Sequence, residues 1–410
     1  MPEHHACKRP TLLVLASTYP RWNGDHEPGF VHELTKRLTD RFQVIAVVPS
    51  APGAVAFETL DGVEVIRYRY APQRFETLVN DGGIVTNLRR HRWKILLVPT
   101  FVLAQAWRTW RLLRTRQIDV IHAHWLLPQG LIAALLGWLP GKPPSYLATS
   151  HGADLFALRG RGLNALKRFV VRRAAAITVV SEAMRDELAR IGADIGDVCV
   201  RSMGVDLEER FTPSTTARRS RDEILFVGRL VEKKGLRHLI DAMPAILLAY
   251  PSAYLTVVGF GPEETERQAQ VQHLGLQSKV QFVGALSQQE LPALYRRAAI
   301  FVAPFVLTPS GDQEGLGLVA VEAAGCGCPV VVSDLPAVRD VFDETMAQLV
   351  TPGSAWAISD AVCAMFAEMP ACSMNAKVRT SLCERFDWSV VAKHYARILQ
   401  DLASARVDRK

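Results

Sequence analysis

Two glutamates, Glu314 and Glu322, stand eight residues apart within the stretch SGDQEGLGLVAVEAAGCGCPVVVSDLP. Between them, Gly315-Leu316-Gly317 reads as a tight turn opening a helix whose apolar side is Leu318, Val319, Val321 and Ala324. Gly325, Gly327 and Pro329 then lead into a buried-strand run, Val330-Val331-Val332. A glycine turn at a helix start is a natural anion site, because the first backbone N–H groups lack intrahelical partners and the macrodipole is positive there. A bare anion needs no carboxylates, but a nucleotide sugar does. Its diphosphate can take the helix end while Glu314 and Glu322 accept hydrogen bonds from sugar and ribose hydroxyls. Eight helical residues span roughly 12 Å, the scale of a pyranose-to-ribose separation across a diphosphate. The plainer alternative is one exposed glutamate at a helix start and another on the solvent face; the glycine framework favours the ligand reading.

A second set lies in Leu225-Phe226-Val227-Gly228-Arg229-Leu230-Val231-Glu232-Lys233-Lys234-Gly235, a strand followed by a turn carrying cations. Arg229 offers a planar fork suited to phosphate oxygens and Lys234 a compact charge. Lys233 reads as a solvated neighbour. Val258-Gly259-Phe260-Gly261 looks like part of a dinucleotide fingerprint, but its third glycine is missing and Pro262-Glu263 follow, so NAD is rejected. His122 and His124 alternate along one strand and share a face. No carboxylate or cysteine accompanies them at usable spacing, so acceptor contacts or strand-end packing is expected rather than a metal. Cys326 and Cys328 likewise lack a second pair for zinc.

These residues need a scaffold. Apolar strand-like runs alternate with helical patterns from end to end, as in α/β units with parallel sheets. The first series is Leu12–Ala16, Val44–Val48, Val63–Tyr68, Val120–Ala123, Ser145–Thr149 and Ala176–Val180, with helices at Phe30–Thr39, Gln129–Trp138 and Ala165–Arg173. The second is Ile224–Val227, Tyr254–Val258, Val280–Val283, Ile300–Ala303 and Val330–Ser333. Between them Gly204–Asp222 shows no periodicity and reads as an interdomain linker. Two doubly wound domains follow, 1–205 and 206–385, with ligands expected beyond the carboxyl ends of the strands.

The 410 residues, 49% of them apolar, suffice for two cores. The net charge of +7 is uneven: residues 1–200 hold 26 Lys+Arg against 17 Asp+Glu (+9), the remainder 22 against 24 (−2). The first half therefore suits an acidic partner such as a phosphorylated acceptor or an anionic membrane surface; nucleic acid suits it less. Seven cysteines in no repeated spacing argue for reduced thiols and a cytoplasmic setting. The run Leu12–Ala16 is strand-sized, so no secretion leader is expected. Trp93–Trp110, interrupted by Pro99 and bordered by Arg89, Arg90, Arg92, Lys94, Arg108, Arg111 and Arg114, reads either as an interfacial segment at the inner face of the plasma membrane or as a kinked core helix with solvated charges.

The combination of E-x7-E at Glu314 and Glu322 with R-x4-K at Arg229 and Lys234 resembles the retaining glycosyltransferases of family four. Matching pieces run over nearly the whole chain. They are the loop Ser17–Gly29 before the first helix, T-S-H-G-A-D at Thr149–Asp154, S-M-G-V-D at Ser202–Asp206, V-G-F-G-P-E at Val258–Glu263 and the pattern Phe386–Tyr395. The resemblance implies the GT-B fold, two Rossmann-like domains facing a central cleft, with a C-terminal helix (386–405) crossing back to the first domain. It implies that Glu314 grips the donor pyranose, Glu322 the ribose, and Arg229 and Lys234 the diphosphate, with His151 near the reacting sugar. Gly315, Leu316, Gly317, Gly29 and Asp154 would line the donor pocket. Where many members carry two adjacent glycines, this chain has Glu27-Pro28-Gly29-Phe30. The implied activity is metal-independent, retaining transfer of a hexosyl group from a UDP- or GDP-sugar to a saccharide or polyprenyl-diphosphate-linked acceptor, in envelope or exopolysaccharide biosynthesis and with no cofactor. Its mechanism would be a front-face displacement. A sugar-nucleotide epimerase of the same fold and a non-catalytic nucleotide-sugar binder are the alternatives.

Overall fold

The computed structural model describes residues 9–22, 24–25, 29–80, 83–138, 143–214, 216–368 and 376–407. Glu27 and Pro28, at which the first loop departs from the family pattern, lie outside them. Two sheets organise the chain. The first runs β3-β4-β2-β1-β5-β6-β7-β8 and the second β11-β10-β9-β12-β13-β14. The strands of the first are β1 (Thr11–Leu15), β2 (Gln43–Pro49), β3 (Phe57–Leu60), β4 (Val63–Tyr68), β5 (Val120–His124), β6 (Ser145–Ser150), β7 (Ala176–Val179) and β8 (Val198–Val200). Those of the second are β9 (Glu223–Val227), β10 (Tyr254–Val258), β11 (Val280–Gly284), β12 (Ile300–Ala303), β13 (Val330–Ser333) and β14 (Gln348–Val350).

Central strands such as β1 and β9 are buried along their whole length, which explains their unbroken apolar runs. Three strands were not foreseen, and each lies at a sheet edge. There half-exposed residues dilute the apolar signal: β3 alternates exposed and half-buried positions. β3 also pairs antiparallel with β4, so the first sheet is mixed rather than wholly parallel. Asp61-Gly62, both at positive φ (46° and 80°), make the hairpin turn.

The order of each sheet reverses once, between β1 and β5 in the first and between β9 and β12 in the second. Loops leaving neighbouring strands there diverge and open a crevice at the strands' carboxyl ends. One continuous apolar cluster joins the two halves, including Leu13 and Val179 of the first sheet and Leu225 and Val332 of the second.

Gly204–Asp222 does join the two halves, as its lack of periodicity suggests, and it is anchored where it crosses. Val205 bridges to Asp387, Val205 N donates to Phe386 O (2.8 Å) and Trp388 N to Val205 O (3.2 Å). The two passages between the halves are thus bonded side by side. Arg219 in this stretch donates to Ala298 O and Gly327 O, and Arg379, just before the second passage, donates to Gly325 O. From this junction the helix Trp388–Val407 crosses back, packing Trp388, Val391, Tyr395 and Leu399 against Leu12, Val14 and Leu34. A Cβ on Gly204 would overlap the Trp388 indole, so only glycine fits at the crossing.

Candidate functional site

At the second sheet's switch point, β9 leads into Gly228-Arg229 and β12 into Pro304-Phe305. The G-x-G of the next strand serves backbone packing. Gly259 holds φ 132°, and a side chain there or on Gly261 would overlap the carbonyls of Gly228 and Leu230. Gly235 (φ 69°) likewise abuts Pro304 O and opens the helix Leu236–Ala249. This turn places Lys234 Nζ 4.8 Å over the Phe305 ring and 2.8 Å from Glu314 Oε2. Burial alone would raise the Glu314 pKa. Lys234, Lys233 and the Gly317 N–H outweigh it and hold the carboxyl at about 2. Gly317 takes φ 84° as the N-cap of the helix Leu318–Gly325, and its missing side chain makes room for Phe305.

Glu322 sits inside that helix, and it is not on a solvent face: it is 7% exposed. Burial pushes its pKa up to about 7, against the lowering effect of hydrogen bonds from Tyr295 and Gln288. Tyr295 Oη donates to Glu322 Oε2 at 2.9 Å, and burial keeps that phenol protonated, its pKa raised well above the ordinary value.

Across the cleft, β5 and β6 carry a histidine stack. His124 Nδ1 lies 3.0 Å from His151 Nε2, and the two rings are nearly parallel, their centroids 5.2 Å apart. Phe30 and Trp125 close on His151 at 4.9 and 5.1 Å. Burial lowers His151 to about 3, so its imidazole is neutral at physiological pH. Asp154 is 2% exposed and already committed. Its Oδ2 accepts from Leu126 N (2.7 Å) and its Oδ1 from Ser150 Oγ (2.8 Å). It ties together the turns that carry Trp125 and His151 and does not offer a free carboxylate to the cleft. The acceptor-side expectation for His122 and His124 is corrected in the same way, since both are fully buried. His122 bonds Thr149 Oγ1 (2.8 Å) and stacks on Tyr395 of the returning helix, which is strand-end packing. Among the described residues neither belongs to a group that could hold a metal ion.

The halves meet closely here. A Cβ on Gly152 would stand 3.4 Å from Gly315 Cα, and one on Gly315 would stand 3.1 Å from His151 O. Arg229 donates to Thr86 Oγ1 of the helix Gly83–Arg90 at 2.8 Å, and Arg159 to Gly311 O at 3.0 Å. Beside these contacts remains a cavity of about 490 Å³, walled by Gly29 and Phe30 from one half and Gln288, Leu318 and Glu322 from the other. Glu322 and Gly29 thus share one cavity, while Glu314, Lys234, Gly315 and His151 gather next to it at the closed contact. Four participants escaped the sequence reading: Tyr295, Gln288, Phe305 and Thr86. Only Phe305 had a signal, since it lies two residues past the carboxyl end of a strand.

Comparison with known proteins bears on the family and the fold. The profile of Glycosyltransferase Family 4 matches residues 30–209 and that of Glycosyl transferases group 1 matches residues 208–374. A phosphatidyl-myo-inositol mannosyltransferase of Propionibacterium freudenreichii subsp. shermanii is 30% identical over 284 residues, 67% of this chain and 68% of the relative. The chain belongs to glycosyltransferase family four. This glycosyltransferase is also similar to a glycogen synthase of Mycobacterium tuberculosis, 27% identical over 396 residues that cover 93% of this chain and 91% of the relative. Among solved structures it shares the fold of sucrose-phosphate synthase from Thermosynechococcus elongatus (TM-score 0.79, 22% identity, 97% and 100% of the two chains). It shares it also with Anabaena HepE in complex with UDP and glucose (TM-score 0.70, 17% identity, 96% and 100%). The fold is GT-B.

Proposed function

We propose that this glycosyltransferase is a retaining, metal-independent enzyme that moves a hexosyl group from a UDP- or GDP-sugar to a saccharide or polyprenyl-diphosphate-linked acceptor in envelope or exopolysaccharide biosynthesis. The observation that carries the reading is the Lys234–Glu314 pair at the second sheet's switch point, set directly against His151, with Glu322 in the adjoining cavity. Glu314, kept ionised, accepts from pyranose hydroxyls. Lys234 and Arg229 neutralise the diphosphate, and Glu322, steadied by Tyr295, accepts from the ribose in the 490 Å³ cavity. Gly29 lets the first loop's backbone close over the phosphates. Neutral His151 hydrogen-bonds a hydroxyl of the reacting sugar.

In the step itself the anomeric carbon–oxygen bond to the diphosphate breaks, and the acceptor oxygen bonds the same carbon on the same face. The acceptor proton passes to the departing phosphate oxygen. Fixed cations aimed at that developing anion supply several kcal/mol of the barrier reduction. Relatives named for GDP-mannose-dependent transfer to a phosphatidylinositol mannoside support a nucleoside diphosphate donor and a lipid-linked acceptor. The test is a panel of UDP- and GDP-sugars with and without lipid-linked and free saccharide acceptors. Acceptor-dependent release of nucleoside diphosphate, with retained anomeric configuration by NMR, is the expected result. Release without transfer for every acceptor, or an inverted product, overturns the proposal.

A further inference from the structure

The helix Leu97–Thr115 carries large apolar side chains on both its faces. Its inward face carries Gln105 and Thr109 beside Phe101 and Leu112, all buried. Gln105 is fully enclosed, donating to Val47 O (3.2 Å) and accepting from Gln129 (3.1 Å). Its outward face, at helical spacing, carries Leu103 (67% exposed), Trp107 (55%) and Trp110 (38%). The short turn before it, Arg92–Leu96, adds Trp93, Ile95 and Leu96, the last 75% exposed. A water-facing helix normally buries the apolar stripe and exposes the polar one, and a contiguous exposed stripe of this kind marks an interaction surface.

The charge around it is of one sign. Between Asp81 and Asp119 there are seven arginines, one lysine and no acidic residue. Arg92, Arg111 and Arg114 are exposed beside the tryptophans, and Arg111 leans over the Trp107 ring at 5.7 Å. Exposed Trp and Leu rimmed by arginine match the boundary between lipid headgroups and acyl chains. Trp, Leu and Arg are also common at protein interfaces, but the single sign of charge over the whole segment favours an anionic bilayer over a protein surface of mixed charge. No helix among the described residues is long and apolar enough to cross a membrane, so the segment lies on the surface.

We infer that the outward face of 92–115 is a docking surface for an anionic lipid bilayer. The turn that bears Trp93 and Leu96 is fastened to the active-site side. Lys94 Nζ bonds Asn87 Oδ1 (2.7 Å) and Thr77 O (2.9 Å), and Asn87 shares its helix with Thr86, the partner of Arg229. Docking therefore sets the helix Gly83–Arg90, and with it the cleft mouth, at a fixed height above the headgroups.

The test uses the full chain and vesicles holding no glycosyl acceptor, so its outcome is independent of the acceptor proposed above. Co-flotation with phosphatidylglycerol/phosphatidylcholine vesicles is expected, together with a blue shift of tryptophan fluorescence, and little binding to phosphatidylcholine alone. The triple substitution Leu103→Ser, Trp107→Ser, Trp110→Ser is expected to lower partitioning about tenfold or more, and Arg111→Ser with Arg114→Ser about thirtyfold, at roughly 1 kcal/mol per basic residue near the surface and about 1.4 kcal/mol per decade. Both variants should keep nucleotide binding, which also reports folding. If the triple variant fails to fold, the single Leu103→Glu change carries the same expectation. Absence of wild-type binding to phosphatidylglycerol vesicles at low salt overturns the inference, as does unchanged binding of the variants. A wild-type dimer that the tryptophan changes dissociate also overturns it.

Discussion

Arg229 donates to Thr86 across the cleft at 2.8 Å, so a residue of the first half holds the side chain we assign to the donor diphosphate. The contact couples the approach of the two halves to the aim of a phosphate-binding fork. Hydrogen bonds to charged groups are worth about 1.5–3 kcal/mol. Thr86→Val should therefore lower kcat/KM by roughly tenfold or more, taking about 1.4 kcal/mol per decade, with only a small change in melting temperature. Steady-state release of nucleoside diphosphate measures it, and an unchanged kcat/KM would make the contact incidental.

Lys234 and Glu314 form the adjoining pair at 2.8 Å. Lys234→Ala should reduce kcat about 10²–10³-fold, the cost typical of removing one group that stabilises a developing anion. The pair also leaves a pH signature. Glu314 titrates near 2 in the fold instead of the ordinary 4.5. Its stabilising contribution is thus complete above pH 4.5 and is lost as pH falls from there through 2. Acid denaturation of wild type and Lys234→Ala compared over that window checks the sign: the variant's stability should fall less steeply.

Much of this was legible in the residues. β10, β12 and β13 coincide with their apolar runs, because strands buried on both faces must be nearly continuously apolar; β4 coincides as well, although it carries Glu64 and Arg67. Arg229, Lys234, Glu314 and Glu322 were visible through glycine spacing, since Gly235 and Gly317 occupy backbone conformations that few other residues adopt. Partners distant in the chain were not. Tyr295 lies 27 residues from Glu322 and reaches it only through packing between helices, which no local pattern encodes. His122, His124 and Asp154 misled for the opposite reason. Their residue types suggested ligand chemistry, but all three are buried and bonded to groups of the first half.

Glu322 is poised for a different pH effect. Burial raises its pKa to about 7, so near neutrality a fraction of it is protonated. Ribose hydroxyls that donate to it favour the carboxylate and lower that pKa on binding. Nucleoside diphosphate binding should therefore release protons below pH 7. Affinity should tighten as pH rises from 5.5 to 7, by at most about tenfold per unit for one proton, and then level off. Calorimetry in buffers of different ionisation enthalpy reads the proton release. Glu322→Gln should reduce both effects to those of the nucleotide's own terminal phosphate, whose second pKa is about 6, and identical profiles for wild type and variant would remove Glu322 from the nucleotide site.

Gly315 and Gly317, two residues apart, separate closure of the cleft from strain in its loop. A methyl group on Gly315 would stand 3.1 Å from His151 O in the opposite half, a contact relieved if the halves part by a few tenths of an ångström. Gly315→Ala should therefore fold normally, keep nucleotide binding by the second half, and lose up to about tenfold in kcat, well short of the roughly 10²-fold of a full 1 Å misplacement. Gly317 sits at φ 84° with Phe305 where its Cβ would go. Gly317→Ala pays about 1–2 kcal/mol for the left-handed backbone, with the clash in addition. It should lower the melting temperature by several degrees and weaken nucleotide binding, because Phe305 and the Glu314 loop shift together. Melting curves and nucleotide titrations on the two variants side by side decide the matter. Equal losses of stability in both would mean that the Gly152–Gly315 approach belongs to the permanent core of the molecule and not to a contact made and broken at the active site.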